Sequence, residues 1–124
     1  MTLSRKEMDA ALKEKFVSKL RERGFKGSYP HFRREGARHI EIIGIQFSQW
    51  GGQFYIEIGL GNKDGEEVQG RHIPASKLKY YEVWPRERLG EIPFDYERDG
   101  VEVAASKASE LPDEIERWFK EKSN

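Results

Sequence analysis

Apolar residues recur at helical spacing near the start of the chain and at every second position in its middle. Met8, Leu12, Phe16 and Leu20 are spaced by four, and Ala11 and Val17 widen the stripe into one face of an α-helix. Ser4 followed by Glu7 has capping-box spacing, which predicts that this helix starts at Ser4. Gly24 predicts its end, because glycine enters the left-handed region without steric cost. Phe25 is then expected to close back onto Leu20.

The alternating pattern follows. Phe32–Arg34 predicts a short strand turning at Glu35-Gly36, Arg38–Trp50 a long strand, and Gln53–Leu60 its antiparallel partner. Gly51-Gly52 between them suits a two-residue primed turn. That turn sets Gln46 opposite Glu57, Ser48 opposite Tyr55, Phe47 opposite Ile56 and Ile45 opposite Ile58. One face of the hairpin is then almost wholly apolar, with the helix stripe as its natural cover. The other carries Gln46, Ser48, Trp50, Gln53, Tyr55 and Glu57, and a slip of one residue would mix the two sets. Ile40 and Ile42 fall on the polar face near its far end, where a later segment is expected to cover them.

Beyond the hairpin, residues 61–70 read as a polar loop and Arg71–Ile73 as the start of an edge strand stopped by Pro74. Leu78–Trp84 reads as a strand or an extended packing segment, and Val101–Ala105 as a last short strand. Arg86–Gly90 and Ile92–Tyr96 carry no decisive pattern. A closing helix is predicted near Ser109 or Leu111, with Pro112 in its first turn and Ile115, Trp118 and Phe119 on its apolar side. Asp113 and Glu114 suit its positive end, Lys120 and Lys122 its negative end. The expectation is one α+β domain: an antiparallel sheet with a central two-residue hairpin, packed against an N-terminal helix, with a short C-terminal helix.

Composition bears on how much core this pattern can bury. Apolar residues make up 36% of the chain and charged residues 35%, but the seven Phe, five Tyr and three Trp lie mostly in patterned segments. A thin, ordered core is expected rather than disorder. With no cysteine, disulfides, thiolate metal sites and a cysteine nucleophile are excluded. The charged stretch 1–14 does not read as a signal peptide and no run approaches 18 apolar residues. No membrane association is expected, and a cytoplasmic location is the default. Acidic and basic residues balance overall, yet residues 1–39 hold 11 basic and 5 acidic groups against 11 and 17 in the remainder. The first helix should therefore show a basic face, either an ordinary solvated surface or one that steers an acidic partner.

Catalytic motifs are missing. His31, His39 and His72 are far apart in sequence and form no HExxH pair, so neither a metal nor another cofactor is expected. Gly51-Gly52 and Gly59-Leu60-Gly61 lack phosphate-loop spacing and read as structural turns. Glu41 and Glu57 fall on opposite faces of the hairpin, which rules out the close carboxylate pair of a glycosidase. Glu57 is expected to pair with Gln46 or with an arginine of the later segment. By elimination the polar hairpin face becomes the functional candidate. In its packed form Trp50 folds over the hairpin end and Tyr55 lies under the C-terminal helix, which is the default expectation. In its open form both aromatics serve as anchors.

The residues Gly24-Phe25, Phe32-Arg33-Arg34, Ile42–Trp50 and Gln53–Gly59 together resemble a family of small bacterial proteins, domain of unknown function 4304. Gln46 and Ser48 match its first hairpin strand, Phe54 and Gly59 its second, and Arg86-Glu87-Arg88-Leu89-Gly90 its later Arg-x-Arg-Leu-Gly segment. The resemblance spans residues 3–90 and weakens over Glu91–Ser109. It brings no reaction and no catalytic residues; by loose analogy it points to immunity-like or accessory proteins.

Three readings follow. The first is a non-enzymatic protein-interaction module using Gln46, Ser48, Trp50, Tyr55 and Glu57, helped by Arg86 and Arg88, with another protein as partner. The second is a small-ligand-binding protein or enzyme, with a pocket between the hairpin and Tyr80–Gly90. The third is a weak nucleic-acid binder through Arg33, Arg34, Arg38 and the basic first helix, against which stand the neutral net charge and the missing recognition motifs.

Overall fold

A computed structural model describes residues 2–123, with side chains from Ser4 onward. The N-terminal helix runs as α1 (Thr2–Leu12), one π turn (Lys13–Val17) and α2 (Ser18–Glu22). Ser4 lies inside α1 rather than at its cap, because the helix already includes Thr2. Met8, Ala11, Leu12, Phe16, Val17 and Leu20 are all buried, as their spacing requires. The C-terminal end closes as expected: Gly24 has φ +92°, its N–H donates to the Arg21 carbonyl at 3.0 Å, and the Phe25 N–H donates to that of Leu20 at 3.1 Å.

Four antiparallel strands, β1 (His31–Glu35), β2 (His39–Phe47), β3 (Gln53–Asn62) and β6 (Arg86–Asp95), form a sheet in the order β1-β2-β3-β6. Its apolar face, including Ile43, Ile45, Phe54, Ile56 and Ile58, shares one core with the N-terminal helix and two later helices, α4 (Val101–Ala108) and α5 (Pro112–Lys122). Phe54 stacks on Phe94 of β6 with ring centroids 4.9 Å apart. A four-residue helix, α3 (Tyr96–Asp99), follows β6 directly, its first turn capped by Asp95, which accepts from the Glu97 and Arg98 N–H groups.

The hairpin differs from expectation in its turn. Phe47 pairs with Phe54, Gln46 with Tyr55, Ile45 with Ile56 and Gly44 with Glu57, so the connection is the loop Ser48–Gly52 rather than Gly51-Gly52 alone. The register is shifted by two residues. Because side chains alternate with period two, every residue that stays in the two strands keeps the face predicted for it, while Ser48 and Trp50 pass into the loop. Tertiary contacts account for the longer loop: the Tyr96 N–H donates to the Gly52 carbonyl at 2.9 Å, and Gln53 pairs with Asp95. The loop thus fastens α3 to the sheet, which a tight turn would leave unheld.

Other segments also depart from expectation. Val101–Ala105 is helical, not a strand. The alternation of Val101, Glu102 and Val103 suggests a strand, but Ala104, Ala105 and Ala108 are fully buried along one helical side. Residues 61–70 are not simply a loop: they finish β3 and contain β4 (Glu66–Val68), whose partner is β5 (Arg71–Ile73). Arg71–Ile73 therefore belongs to a separate two-stranded ribbon and not to the edge of the main sheet. Arg86–Gly90 and Ile92–Asp95 are parts of a single strand, irregular where it faces Phe54–Ile56.

The second sheet face is half covered. Leu78, Tyr80 and Val83 pack on Ile40 and Ile42, so the later segment covers them as expected. Gly44, Gly59 and Gly61 provide a flat seat for it. A methyl group on Gly59 would come within 2.7 Å of Val83, one on Gly61 within 2.8 Å of Leu78, and one on Gly44 would collide with the Tyr80 ring. Gly59 and Gly61 are consequently strand residues that allow close packing, not turns.

Candidate functional site

The uncovered half of that face brings Gln46, Tyr55, Glu57 and Arg88 together. Their alternation places Gln46 on β2 and Tyr55 and Glu57 on β3 on the same side, and Arg88 faces Glu57 from β6. Glu57 is 6% exposed, the one charged residue buried among those described. Arg88 Nε donates to Glu57 Oε2 at 2.9 Å, and Nη2 donates to Gln46 Oε1 at 3.2 Å. Its guanidinium carbon lies 3.7 Å from the centre of the Tyr55 ring. One arginine therefore ties three other side chains into a rigid, hydrogen-bonded floor.

Two open recesses meet at Gln46. One, of about 620 Å³, is lined by Glu57, Tyr80, Tyr81, Arg86, Glu87 and Arg88. The other, of about 450 Å³, is lined by Phe47, Ser48, Gln49, Trp50 and Tyr55. Arg86 Nη1 reaches the Tyr80 carbonyl at 3.4 Å, so this arginine borders the floor rather than joining the Glu57 network. In the first recess Arg86 and Arg88 face the Glu57 carboxylate, while the Glu87 carboxylate accepts from Trp118 on the other face.

Ser48 leaves the strand and turns into the loop, where its Oγ accepts from the Trp50 N–H at 3.0 Å. Trp50 itself is 88% exposed. The folded-over arrangement is thereby overturned. Tyr55 does not pack beneath the C-terminal helix either: α5 lies on the opposite face, where Trp118 joins the core and donates to Glu87 Oε1 at 2.8 Å. Of the seven predicted residues, four form the floor, Arg86 borders it, and Ser48 and Trp50 form the rim of the second recess.

Tyr80 and Tyr81, which open the Tyr80–Gly90 segment set beside the hairpin in the ligand-pocket reading but were not named as site residues, form a wall of the first recess. His31 on β1 stacks on Tyr80 at 6.1 Å and meets Tyr81 edge-on at 6.4 Å, holding this wall against the sheet. Burial pushes the His31 imidazole below its ordinary pKa, aided by the charge of Lys79, and its Nδ1 is buried without a hydrogen-bond partner. Burial likewise raises the Tyr80 phenol, with the nearby Glu57 adding to the effect. The Tyr-Tyr pair seven residues before Arg88 was the available signal, but its position depends on the three-glycine seat.

Most of the basic N-terminal region is used internally. Arg23 donates to Asp113 at 2.8 Å, and Arg34 donates to Glu41 at 2.7 Å and to Glu116 at 2.6 Å. Lys15 pairs with Glu102, and Lys19 and Arg21 donate to backbone carbonyls. Among the described residues, no three His, Cys, Asp or Glu side chains converge as a metal site, and no helix is long and apolar enough to cross a membrane.

The stretch of chain that builds this floor also matches a known family. The family model described as Domain of unknown function (DUF4304) matches residues 16–123. The chain belongs to the DUF4304 family. The match takes in every candidate residue and continues through α5, well past the point near residue 90 where the resemblance had weakened. No curated protein and no solved structure matches this DUF4304 chain. The family description names no reaction, so the chemistry of the site has to come from its own side chains.

Proposed function

We propose that this DUF4304 protein is a non-enzymatic interaction module whose open half-face docks another protein. The observation that carries the reading is the pairing of a fixed floor with a free anchor: Trp50 stands 88% exposed beside the Arg88–Tyr55–Glu57–Gln46 network. An exposed tryptophan next to a rigid polar surface is the arrangement expected of a binding hot spot, since ordering costs are already met before the partner arrives. The Glu57 carboxylate is occupied by Arg88, which favours recognition over proton transfer.

Affinity capture of the tagged protein from its native lysate, in the presence of nuclease, tests this. A stoichiometric protein partner is expected, with affinity lowered in Trp50→Ala and Tyr55→Ala proteins that keep their thermal transition. Folded variants that hold every partner as tightly as the parent would end the proposal.

A small-molecule ligand is the second reading, favoured by one observation. The recess beside Tyr80 and Tyr81 has the size of a ligand pocket, with Glu57, Arg86 and Arg88 converging on it. Capture of no protein, together with a ligand-induced shift of Tyr80 and Tyr81 resonances, would move the weight to this reading.

A further inference from the structure

We propose that a separate recess at the outer edge of β1 is an anion site for a soluble phosphate-bearing small molecule. This goes beyond the docking face, where Arg88 is already paired with Glu57. The recess holds about 560 Å³, within the range that takes a drug- or nucleotide-sized ligand, and Lys26, Arg33 and Lys63 converge on it.

The backbone forces the first two together. Lys26 N–H donates to the Arg33 carbonyl and Arg33 N–H to the Lys26 carbonyl, both at 2.8 Å, which makes them a directly opposed antiparallel pair. Like charges in that position repel and destabilise the pairing. Arg34, which also lines the recess, is neutralised by Glu41 and Glu116, and nearby Arg23 by Asp113. Neither Lys26 nor Arg33 has a side-chain hydrogen bond or ion pair among the described residues, and the one acidic lining group, Glu35, lies 3.6 Å from Lys63. An anion held between Lys26 and Arg33 removes the repulsion and takes charge-assisted hydrogen bonds from both.

A phosphate group fits best because it accepts from several donors at once, including the Ser76 hydroxyl that also lines the recess. The source is soluble rather than a lipid headgroup. None of the large exposed apolar side chains, such as Trp50, Trp84 and Ile92, lines this recess to enter a bilayer.

The probe is inorganic pyrophosphate, followed by thermal unfolding and by the amide resonances of Lys26 and Arg33. Saturable stabilisation is expected, and sodium chloride at equal ionic strength should not reproduce it. Lys26→Gln and Arg33→Gln should each weaken binding by about tenfold, while Arg38→Gln, outside the recess, leaves it unchanged. Arg33→Glu should raise the melting temperature without pyrophosphate, because it turns a repulsive pair into an attractive one, and should end binding. An identical response to sodium chloride, or Lys26→Gln and Arg33→Gln proteins that bind like the parent, would overturn the site. Binding to phosphatidic acid vesicles that pyrophosphate cannot compete away would overturn the soluble ligand. The capture result for Trp50→Ala is independent of all these outcomes.

Discussion

Arg88 joins Glu57 across the β3–β6 boundary, its Nε donating at 2.9 Å to a carboxylate that is otherwise sealed from solvent. A buried charge is tolerated where an opposite charge is hydrogen-bonded to it, and Arg88 supplies that charge while its Nη2 donates to Gln46. The pair makes β6, an edge strand, part of the same rigid surface as the central hairpin.

Stability and exposure should therefore separate on this face. Glu57→Ala is expected to cost about 1–3 kcal/mol, because it leaves the Arg88 Nε without its buried acceptor. Trp50→Ala is expected to stay within about 0.5 kcal/mol of the parent. Urea unfolding of both variants measures this, and a Trp50→Ala cost equal to that of Glu57→Ala would show that the tryptophan is packed.

The Arg88–Tyr55 stack should be measurable by itself. A double-mutant cycle over Arg88→Ala and Tyr55→Leu is expected to return a coupling of about 0.5–1 kcal/mol. Zero coupling would mean that the guanidinium does not rest on the ring in solution.

Gly44→Ala tests the seat of the covering segment. Its methyl group would meet the Tyr80 ring, so destabilisation of about 1–3 kcal/mol is expected, with faster hydrogen exchange confined mainly to Leu78–Val83. Unchanged exchange in that segment would contradict the close packing of Tyr80 on the sheet.

Acid should weaken the fold in two stages. The folded protein disfavours protonation of His31, through burial and Lys79 and despite Glu82, so its contribution is full above the ordinary value of 6.5 and declines as pH falls through it. Glu116 is held below its ordinary value of 4.5, first by the hydrogen bond from Arg34. Its contribution is present above 4.5 and is lost at lower pH, as the folded carboxylate protonates. Melting temperatures between pH 7 and 3 should show both declines. His31→Gln should remove the first and leave the second, and a His31→Gln profile identical to the parent's would refute the assignment.

The face of each hairpin residue was legible in the sequence, but the identity of its cross-strand partner was not. Face assignment follows from alternation alone, so Gln46, Tyr55 and Glu57 were grouped correctly even though the loop is longer and the register shifted by two. The helix stripe, its glycine ending and the Pro112 start were legible for a similar reason: each is a local rule, satisfied within a turn or two of the chain.

What tertiary structure decided lies wherever distant segments compete for the same groups. The Ser48–Gly52 loop is held open by Tyr96, forty-odd residues away, and this is why Trp50 points to solvent rather than folding over the hairpin. Val101–Val103 alternates like a strand, yet the buried alanines that follow hold it in a helix packed on α1. Arg88 was recognised as a candidate, but only the pairing of β6 with β3 chose Glu57 as its partner. Local periodicity set the faces and the helix ends by backbone geometry, whereas long-range packing and charge pairing set which faces stayed open.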